Sequence, residues 1–161
     1  MKMSKAVEQS LVVLVMLELQ TDHEPVKSYL LSDRLKVSES YLKKTMRKLV
    51  VAGIVDAIAS KEGGFKLARS TDKITLLDVY EAIEGDGSFI HSTQLADRIF
   101  LNQQSDKSVE DVQEVLDVAI ADVLTTFSAA EQDFKKRLKS YTIANLMQNV
   151  DSTQFGEIDW R

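Results

Sequence analysis

The stretch Ser38-Glu-Ser-Tyr-Leu-Lys-Lys-Thr-Met-Arg-Lys-Leu-Val-Val-Ala-Gly53 predicts one amphipathic helix with a defined start and end. Ser38 can accept a hydrogen bond from a free amide of the first turn, and Gly53 can take the left-handed conformation that ends a helix. The apolar side chains recur at the spacing of a single helical face, namely Leu42, Met46, Leu49 and Val50. We therefore expect this face to be buried.

The opposite face of the same helix carries hydroxyl groups, a phenol and four cations, namely Ser40, Tyr41, Lys43, Lys44, Arg47 and Lys48. Polar tips near a helix N-terminus can reach base edges while the flanking cations meet phosphates. This pattern predicts a DNA-recognition helix. The alternatives are a solvated charged face for the cations and packing against a neighbouring hairpin for Tyr41.

The residues on either side of this helix predict a winged helix-turn-helix. Residues 26–35 are expected to form a short preceding helix, with Lys36-Val37 as the turn. A left-handed backbone conformation at Lys36 in this turn would destabilise the fold by about 1 kcal/mol. After Gly53 the pattern changes to β-branched residues around Gly63-Gly64, which predicts a β-hairpin whose glycines supply positive φ. Lys61 lies at the predicted hairpin tip. The predicted fold class is mainly α with a small β-hairpin.

The second half of the chain predicts a dimerisation element. From Val109 to Leu138 the apolar positions advance by three or four without proline or glycine, so one helix of about 30 residues would extend about 45 Å. A helix of this length usually packs on its twin. We expect a winged helix-turn-helix domain in residues 1–85, a connecting and possible sensor segment in 86–108, a dimerisation helix with a short capping helix in 109–150, and a loose tail in 151–161.

Charge and composition narrow the functional classes. Residues 1–70 carry 12 Lys and Arg against 8 Asp and Glu, whereas residues 71–161 carry 8 against 17. A basic N-terminal half fits phosphate contact on one face of the protein. The chain has no cysteine, which excludes disulfides and cysteine-held iron-sulfur clusters. Since no apolar run approaches the roughly 18 residues of a membrane span, we expect a cytoplasmic protein without membrane contact.

Several motifs, in order and spacing, resemble the Rrf2 family of bacterial winged-helix transcription regulators. They are Ser38-x-x-Tyr41-Leu42, Leu49-x-x-Ala52-Gly53-Ile54-Val55, Gly63-Gly64-Phe65-Lys66-Leu67-Ala68-Arg69, Ile74-Thr75-Leu76-x-Asp78-Val79-x-x-Ala82-x-Glu84-Gly85 and Thr142-Ile-Ala-Asn-Leu146. The resemblance covers most of the chain apart from about residues 86–108.

This resemblance implies a homodimer that crosses its long helices and places two recognition helices in successive major grooves of an inverted repeat. It implies DNA contacts from Ser38, Ser40, Tyr41, nearby cations and the wing. Family wings usually carry an arginine-glycine pair where this chain has Ala59-Ser60, which leaves Lys61 as the substitute. Many members hold an iron-sulfur cluster through three cysteines, and since this chain has none we expect no cofactor.

We therefore expect a sequence-specific DNA-binding transcriptional regulator, a repressor rather than an enzyme, that binds double-stranded DNA as a homodimer. The predicted DNA contacts are Ser38, Ser40, Tyr41, Lys43, Lys44, Arg47, Lys48 and Lys61. An unknown small-molecule effector could bind in a pocket formed by Tyr80, Phe89, His91 and Phe100. The alternative is a winged helix used only for protein contacts. No enzyme active site is predicted, because the convergent polar groups of such a site are absent from the sequence. No metal site is predicted either, because His23 and His91 are far apart in sequence and lack obvious partner ligands.

Overall fold

The computed structural model describes residues 3–88, 90, 95–101, 108–149 and 158–160, and within them the chain is mainly helical with one β-hairpin. This confirms the predicted fold class. The elements are α1 (Lys5–Leu19), α2 (Ser28–Leu35), α3 (Glu39–Val51), β1 (Val55–Ile58), β2 (Gly64–Leu67), α4 (Leu76–Glu84), α5 (Leu95–Phe100), α6 (Val109–Lys139) and α7 (Ile143–Asn149), with 3-10 turns at Thr21–His23 and Thr71–Lys73.

The core of the winged helix lies between α1, α2, α3 and α4. Leu14 of α1, Leu31 of α2 and Met46 of α3 are each fully buried. The predicted inner face of α3 is confirmed, because Leu42 and Leu49 are also buried. Burial of a side chain of this size stabilises the fold by about 1.5 to 3 kcal/mol. This apolar contact holds α3 against the rest of the unit and leaves its other face outward.

The hairpin is an antiparallel pair in which Val55 lies opposite Leu67 and Ile58 lies opposite Gly64. Val26 extends the pairing on the other side of β2, because Val26 and Phe65 exchange two backbone hydrogen bonds of 2.8 Å. The wing is therefore attached to a residue just before α2.

The expectation that Gly63 and Gly64 supply positive φ was wrong. Among the described residues, the glycines with positive φ are Gly53 and Gly85. A Cβ at Gly63 would lie 2.0 Å from the carbonyl oxygen of Ile58, and one at Gly64 would lie 2.4 Å from that of Val26. The two glycines are needed because neighbouring backbone passes too close for a side chain.

A backbone bridge brings the start of α7 to the start of α4. Thr75 and Thr142 form an isolated antiparallel bridge, in which Leu76 N donates to Tyr141 O and Ile143 N donates to Ile74 O, each over 2.8 Å. Ile143 is completely buried. The winged-helix core thus includes a residue that follows the long helix.

Both helices that meet at this bridge begin with the same hydrogen-bond pattern. Thr75 accepts from the Asp78 amide at 3.1 Å and Asp78 accepts from the Thr75 amide at 2.8 Å. Thr142 and Asn145 repeat this exchange at 3.2 and 2.9 Å. Each pair satisfies amides that a helix start leaves without an intrahelical partner.

The chain divides into two compact units, residues 1–86 with 137–161 and residues 87–136. In the second unit, Ser88 Oγ donates to the buried carboxylate of Glu131 at 2.6 Å, and Lys135 pairs with the same carboxylate at 3.3 Å. The predicted single helix over 109–138 is confirmed by α6. Across the described part of the chain, no helix has both the length and the apolarity to cross a membrane.

The expectation of a loose tail over 151–161 was wrong for residues 158–160. Ile158 pairs in parallel with Gln20, and Trp160 donates from its indole nitrogen to the Met16 carbonyl oxygen at 2.9 Å. This pairing joins residues about 140 positions apart, which no local sequence pattern indicates.

Candidate nucleic-acid interface

The turn between α2 and α3 sets the orientation of the recognition helix. Lys36 is left-handed, with φ 55° and ψ 43°, and its amide donates to the Asp33 and Ser32 carbonyl oxygens. The Val37 amide donates to the Ser32 carbonyl oxygen at 3.1 Å, and Lys36 Nζ pairs with Asp33 at 3.1 Å. The left-handed geometry considered for Lys36 is therefore present, and these hydrogen bonds hold it.

Ser38 caps α3 as predicted, because its hydroxyl oxygen accepts from the Tyr41 amide at 3.3 Å. Ser40 lies beside the cap, with 3.3 Å between the two hydroxyl oxygens. Hydroxyl groups are thus concentrated at the positive end of the helix, where an anion such as a phosphate is favoured.

A carboxylate at the start of α3 connects the two helices of the motif. Glu39 accepts hydrogen bonds from Lys43 Nζ at 2.8 Å and from Ser28 Oγ at 2.6 Å. The Lys43 hydrogen bond, followed by that from Ser28, holds the pKa of Glu39 below its usual value. The exposed ion pair contributes little by itself, but Ser28 begins α2, so this carboxylate also joins α2 to α3.

The predicted outer face of α3 is on the surface. Its exposed members are Ser38, Ser40, Tyr41, Lys43, Lys44, Arg47 and Lys48. Lys43 is paired with Glu39, and Lys48 Nζ donates to the backbone carbonyl oxygen of Ile83 at 2.5 Å. Within the described residues, the side chains of Lys44 and Arg47 have neither a hydrogen bond nor an ion pair. Their charges are therefore the most available on this face.

The wing turn presents Lys61 beside an acidic neighbour. The Gly63 amide donates to the Ser60 carbonyl oxygen at 2.9 Å and closes a four-residue turn in which Lys61 and Glu62 are central. Lys61 is exposed, whereas Glu62 pairs with Lys27 at 3.7 Å. Lys61 can therefore extend from the tip, and its role as a DNA contact stays a prediction.

The predicted effector pocket stays a prediction as well. Tyr80 packs against the hydrophobic core of the first unit, whereas Phe100 belongs to the second unit and is exposed. Phe89 and His91 lie outside the described residues. In the second unit, Phe100 borders a cavity of about 410 Å³, whose other lining residues are Asp111, Val112, Val115 and Leu116.

Sequence reasoning did not single out Ser28 and Glu39 as partners, nor Tyr29, which is 55% exposed on α2. The first helix of a helix-turn-helix crosses the DNA backbone, so an exposed phenol there is available to a phosphate. The signal that could have found these residues is their place in the first turn of each helix of the motif.

The donor set of this chain does not fit a cysteine-ligated cluster. The sequence has no cysteine. Over the described residues, no group of three His, Asp or Glu side chains is placed to hold a metal ion. Iron-sulfur clusters are held mainly by cysteine thiolates, and this chain does not offer those ligands.

Sequence comparison identifies relatives along most of the chain. Residues 3–149 match the model of the Rrf2 family, described as an iron-dependent transcriptional regulator. A putative HTH-type transcriptional regulator of Bacillus subtilis, YwgB, is 42% identical over 100 residues, which cover 62% of this chain and 64% of that protein. YffB of Lactococcus lactis is 39% identical over 108 residues, or 67% of this chain and 69% of that protein.

Solved structures share the fold at low sequence identity. CymR, the global cysteine regulator of B. subtilis, aligns over 94% of this chain and 99% of its own length with a TM-score of 0.60 and 20% identity. IscR of T. potens aligns over 96% of this chain and 91% of its own length, with a TM-score of 0.59 and 20% identity. The family match, which spans nearly all of the chain, shows that this protein belongs to the Rrf2 family of transcriptional regulators.

Proposed function

We propose that this protein regulates transcription by placing α3 in the major groove of a specific DNA site, with the wing on the neighbouring backbone. The observation that carries the proposal is the division of α3 into two faces. Its apolar face is buried in the core, while its hydroxyl groups and cations are exposed. The names of its relatives as HTH-type transcriptional regulators support the same function.

The exposed face divides into two roles. Ser40 and Tyr41, near the start of α3, are close to the part of a recognition helix that contacts base edges. Lys44 and Arg47, one turn further along, would neutralise phosphates, and Lys61 would do so from the wing tip. Lys43 and Lys48 have protein partners that they would share with DNA or exchange for it.

The acting form is proposed to be a homodimer on an inverted repeat, with half-site centres about 10 base pairs apart. Its support is the exposed apolar side of α6, a helix of 31 residues. The exposed side chains are Val115, Val118, Val123 and Phe127. A second copy of α6 would cover them. Occlusion of a promoter by such a dimer would repress transcription without any cofactor.

A winged helix used only for protein contacts is the other candidate function, and it is not favoured by the relatives, which are named as transcriptional regulators. The proposed switch is a small molecule that binds residues 86–108, which lie between α4 and the long helix α6 in the sequence. Differential affinity of that molecule for two arrangements of the recognition helices would shift DNA binding.

The decisive experiment is selection of bound fragments from the source genome, followed by anisotropy titration over a range of salt concentrations. The double variant Lys44→Ala with Arg47→Ala should lose affinity, and its salt slope should fall by about 2, since each phosphate contact contributes about 0.9. The matched control is Lys5→Ala with Lys73→Ala, which removes the same charge from exposed positions on α1 and the second 3-10 turn. Equal slopes for both double variants would contradict the proposed interface.

A further inference from the structure

Residues 158–160, which we call the 158–160 segment, cap the C-terminal end of α1. This helix has no glycine cap, and Gln20 after it is extended, with φ −63° and ψ 128°. The Ile158 amide donates to the Leu19 carbonyl oxygen at 2.8 Å. The Trp160 indole donates to the Met16 carbonyl oxygen at 2.9 Å. The last four carbonyls of a helix have no intrahelical partner, and the segment satisfies two of them.

Gln20 is the anchor for this segment. It is 1% exposed, so its amide needs internal partners to be tolerated in the core. Its Oε1 accepts from the Trp160 amide at 3.0 Å, and its Nε2 donates to Asp159 Oδ1 at 3.3 Å. Most of the hydrogen bonding of this buried side chain therefore depends on the segment.

One route leads from the segment to the wing. The Ile158 carbonyl oxygen accepts from the Thr21 amide at 3.3 Å, which holds the start of the loop between α1 and α2. In this loop Asp22 and His23 have φ of 55° and 50°. Strained residues of this kind persist only where the surroundings fix them. The loop continues to Val26, which is hydrogen-bonded to Phe65 of the wing strand β2.

A second route leads to the helix-turn-helix. Arg34 is in the last turn of α2, and its guanidinium carbon lies 6.0 Å from the centre of the Trp160 ring. A cation at this distance is attracted by the face of the ring. Two residues later comes Lys36, the left-handed turn that orients α3.

From these contacts we infer that the 158–160 segment positions the DNA interface: seated on the end of α1, it fixes the wing through Thr21–Val26 and the recognition helix through Arg34. Gln20 and Trp160 are positioning residues, and neither is proposed to touch DNA. The family match ends at residue 149, so the segment lies outside the matched region. The inference rests on the proposed function for its effect on DNA, but not for its effect on the protein.

The first test needs no DNA and uses amide hydrogen exchange on the full chain. In Trp160→Ala, the amides of Thr21, Val26 and Phe65 should exchange about tenfold faster, the effect of losing a hydrogen bond or two. The amides of Leu76 and Ile143, bonded elsewhere in the same unit, should keep their rates. Trp160→Phe keeps a ring beside Arg34 but loses the indole donor, so it should be intermediate. The control is Gln148→Ala, at an exposed position on α7.

Two exchange results would overturn the inference. Acceleration limited to Thr21 would mean that the segment does not reach the wing. Equal acceleration at Leu76 and Ile143 would mean that Trp160 only adds global stability.

The second test compares specific with non-specific DNA. Trp160→Ala should lower the ratio of specific to non-specific affinity about tenfold and leave the salt slope unchanged, because no phosphate contact is lost. An unchanged ratio would refute positioning, and a lower slope would mean that the segment itself contacts DNA. If the unaltered protein binds no DNA, the proposed function fails, while hydrogen exchange still decides whether the segment fixes the wing.

Discussion

Lys48 Nζ donates to the carbonyl oxygen of Ile83 over 2.5 Å, so a cation on the recognition helix closes the last turn of α4. The carbonyls of a final helical turn lack intrahelical partners, and a positive charge is favourable at that end. Lys48 therefore has a structural partner as well as its predicted place at the DNA.

We predict that Lys48→Met lowers the free energy of unfolding by about 1 kcal/mol, since the aliphatic stem is kept and the charged hydrogen bond is lost. Urea unfolding measures this change. Lys44→Met is the matched control on the same face and should change stability by less than about 0.5 kcal/mol. Equal effects of the two substitutions would show that the Ile83 contact is not formed in solution.

Lys36→Gly is predicted to stabilise the protein by about 0.5 to 1 kcal/mol, because Lys36 has φ 55° and glycine adopts this conformation without steric cost. Lys36→Ala separates the backbone effect from the charge, because it removes the ion pair with Asp33 but keeps the unfavourable φ. Its stability should stay within about 0.5 kcal/mol of the parent. A glycine variant no more stable than the alanine variant would count against the left-handed turn.

Gly64→Ala is predicted to destabilise the protein by about 2 kcal/mol or more, since the new methyl group would meet the Val26 carbonyl at 2.4 Å and separate the wing from residue 26. Gly87→Ala is the control, because a Cβ there meets nothing within 4 Å. Thermal unfolding of both variants is the measurement. If Gly64→Ala does not lower the unfolding temperature, β2 is not held against Val26.

The pKa of Glu39 predicts an acid-dependent loss of stability. Hydrogen bonds from Lys43 and then Ser28 keep this pKa below its usual value of 4.5 in the folded protein. The carboxylate therefore stabilises the fold above pH 4.5, and this contribution disappears as the pH falls through the lowered pKa. In denaturant titrations, the difference between the parent and Glu39→Gln should shrink below pH 4.5. Ser28→Ala should move the loss to higher pH, and a difference independent of pH would refute the assignment.

Val115→Asp with Phe127→Asp is predicted to convert a dimer to a monomer, because both side chains are more than half exposed on α6 and a charge there could not be buried by a second copy. Sedimentation velocity at several concentrations measures this. Ala121→Asp with Ser128→Asp adds the same two charges at exposed positions on the other side of this helix and should preserve the assembly. A parent protein that sediments as a monomer would exclude the proposed dimer.

Much of the fold could be predicted from local patterns. Ser38 as a cap, Leu42, Met46 and Leu49 as a buried stripe, and α6 as one helix follow from periodicity and end signals within a few turns. The outer face of α3 was predicted because the buried face determines which side chains remain outside.

The rest depended on contacts between distant residues. The need for Gly64 comes from the backbone of Val26, on another segment of the chain, and the partners of Gln20 come from residues 159 and 160. Lys48 was predicted from its charge to contact DNA, but its hydrogen bond to the Ile83 carbonyl depends on the packing of α3 against α4. Local propensity carries no information on such pairs.

The bridge between Thr75 and Thr142 has a consequence for biosynthesis. When only the first 86 residues have left the ribosome, Ile143 has not yet been synthesised. The apolar site that Ile143 fills in the folded protein therefore stays exposed while the long helix α6 is being synthesised. Nascent domains with exposed apolar surface are prone to aggregate. The nascent winged helix should therefore need protection from aggregation until α7 has been synthesised.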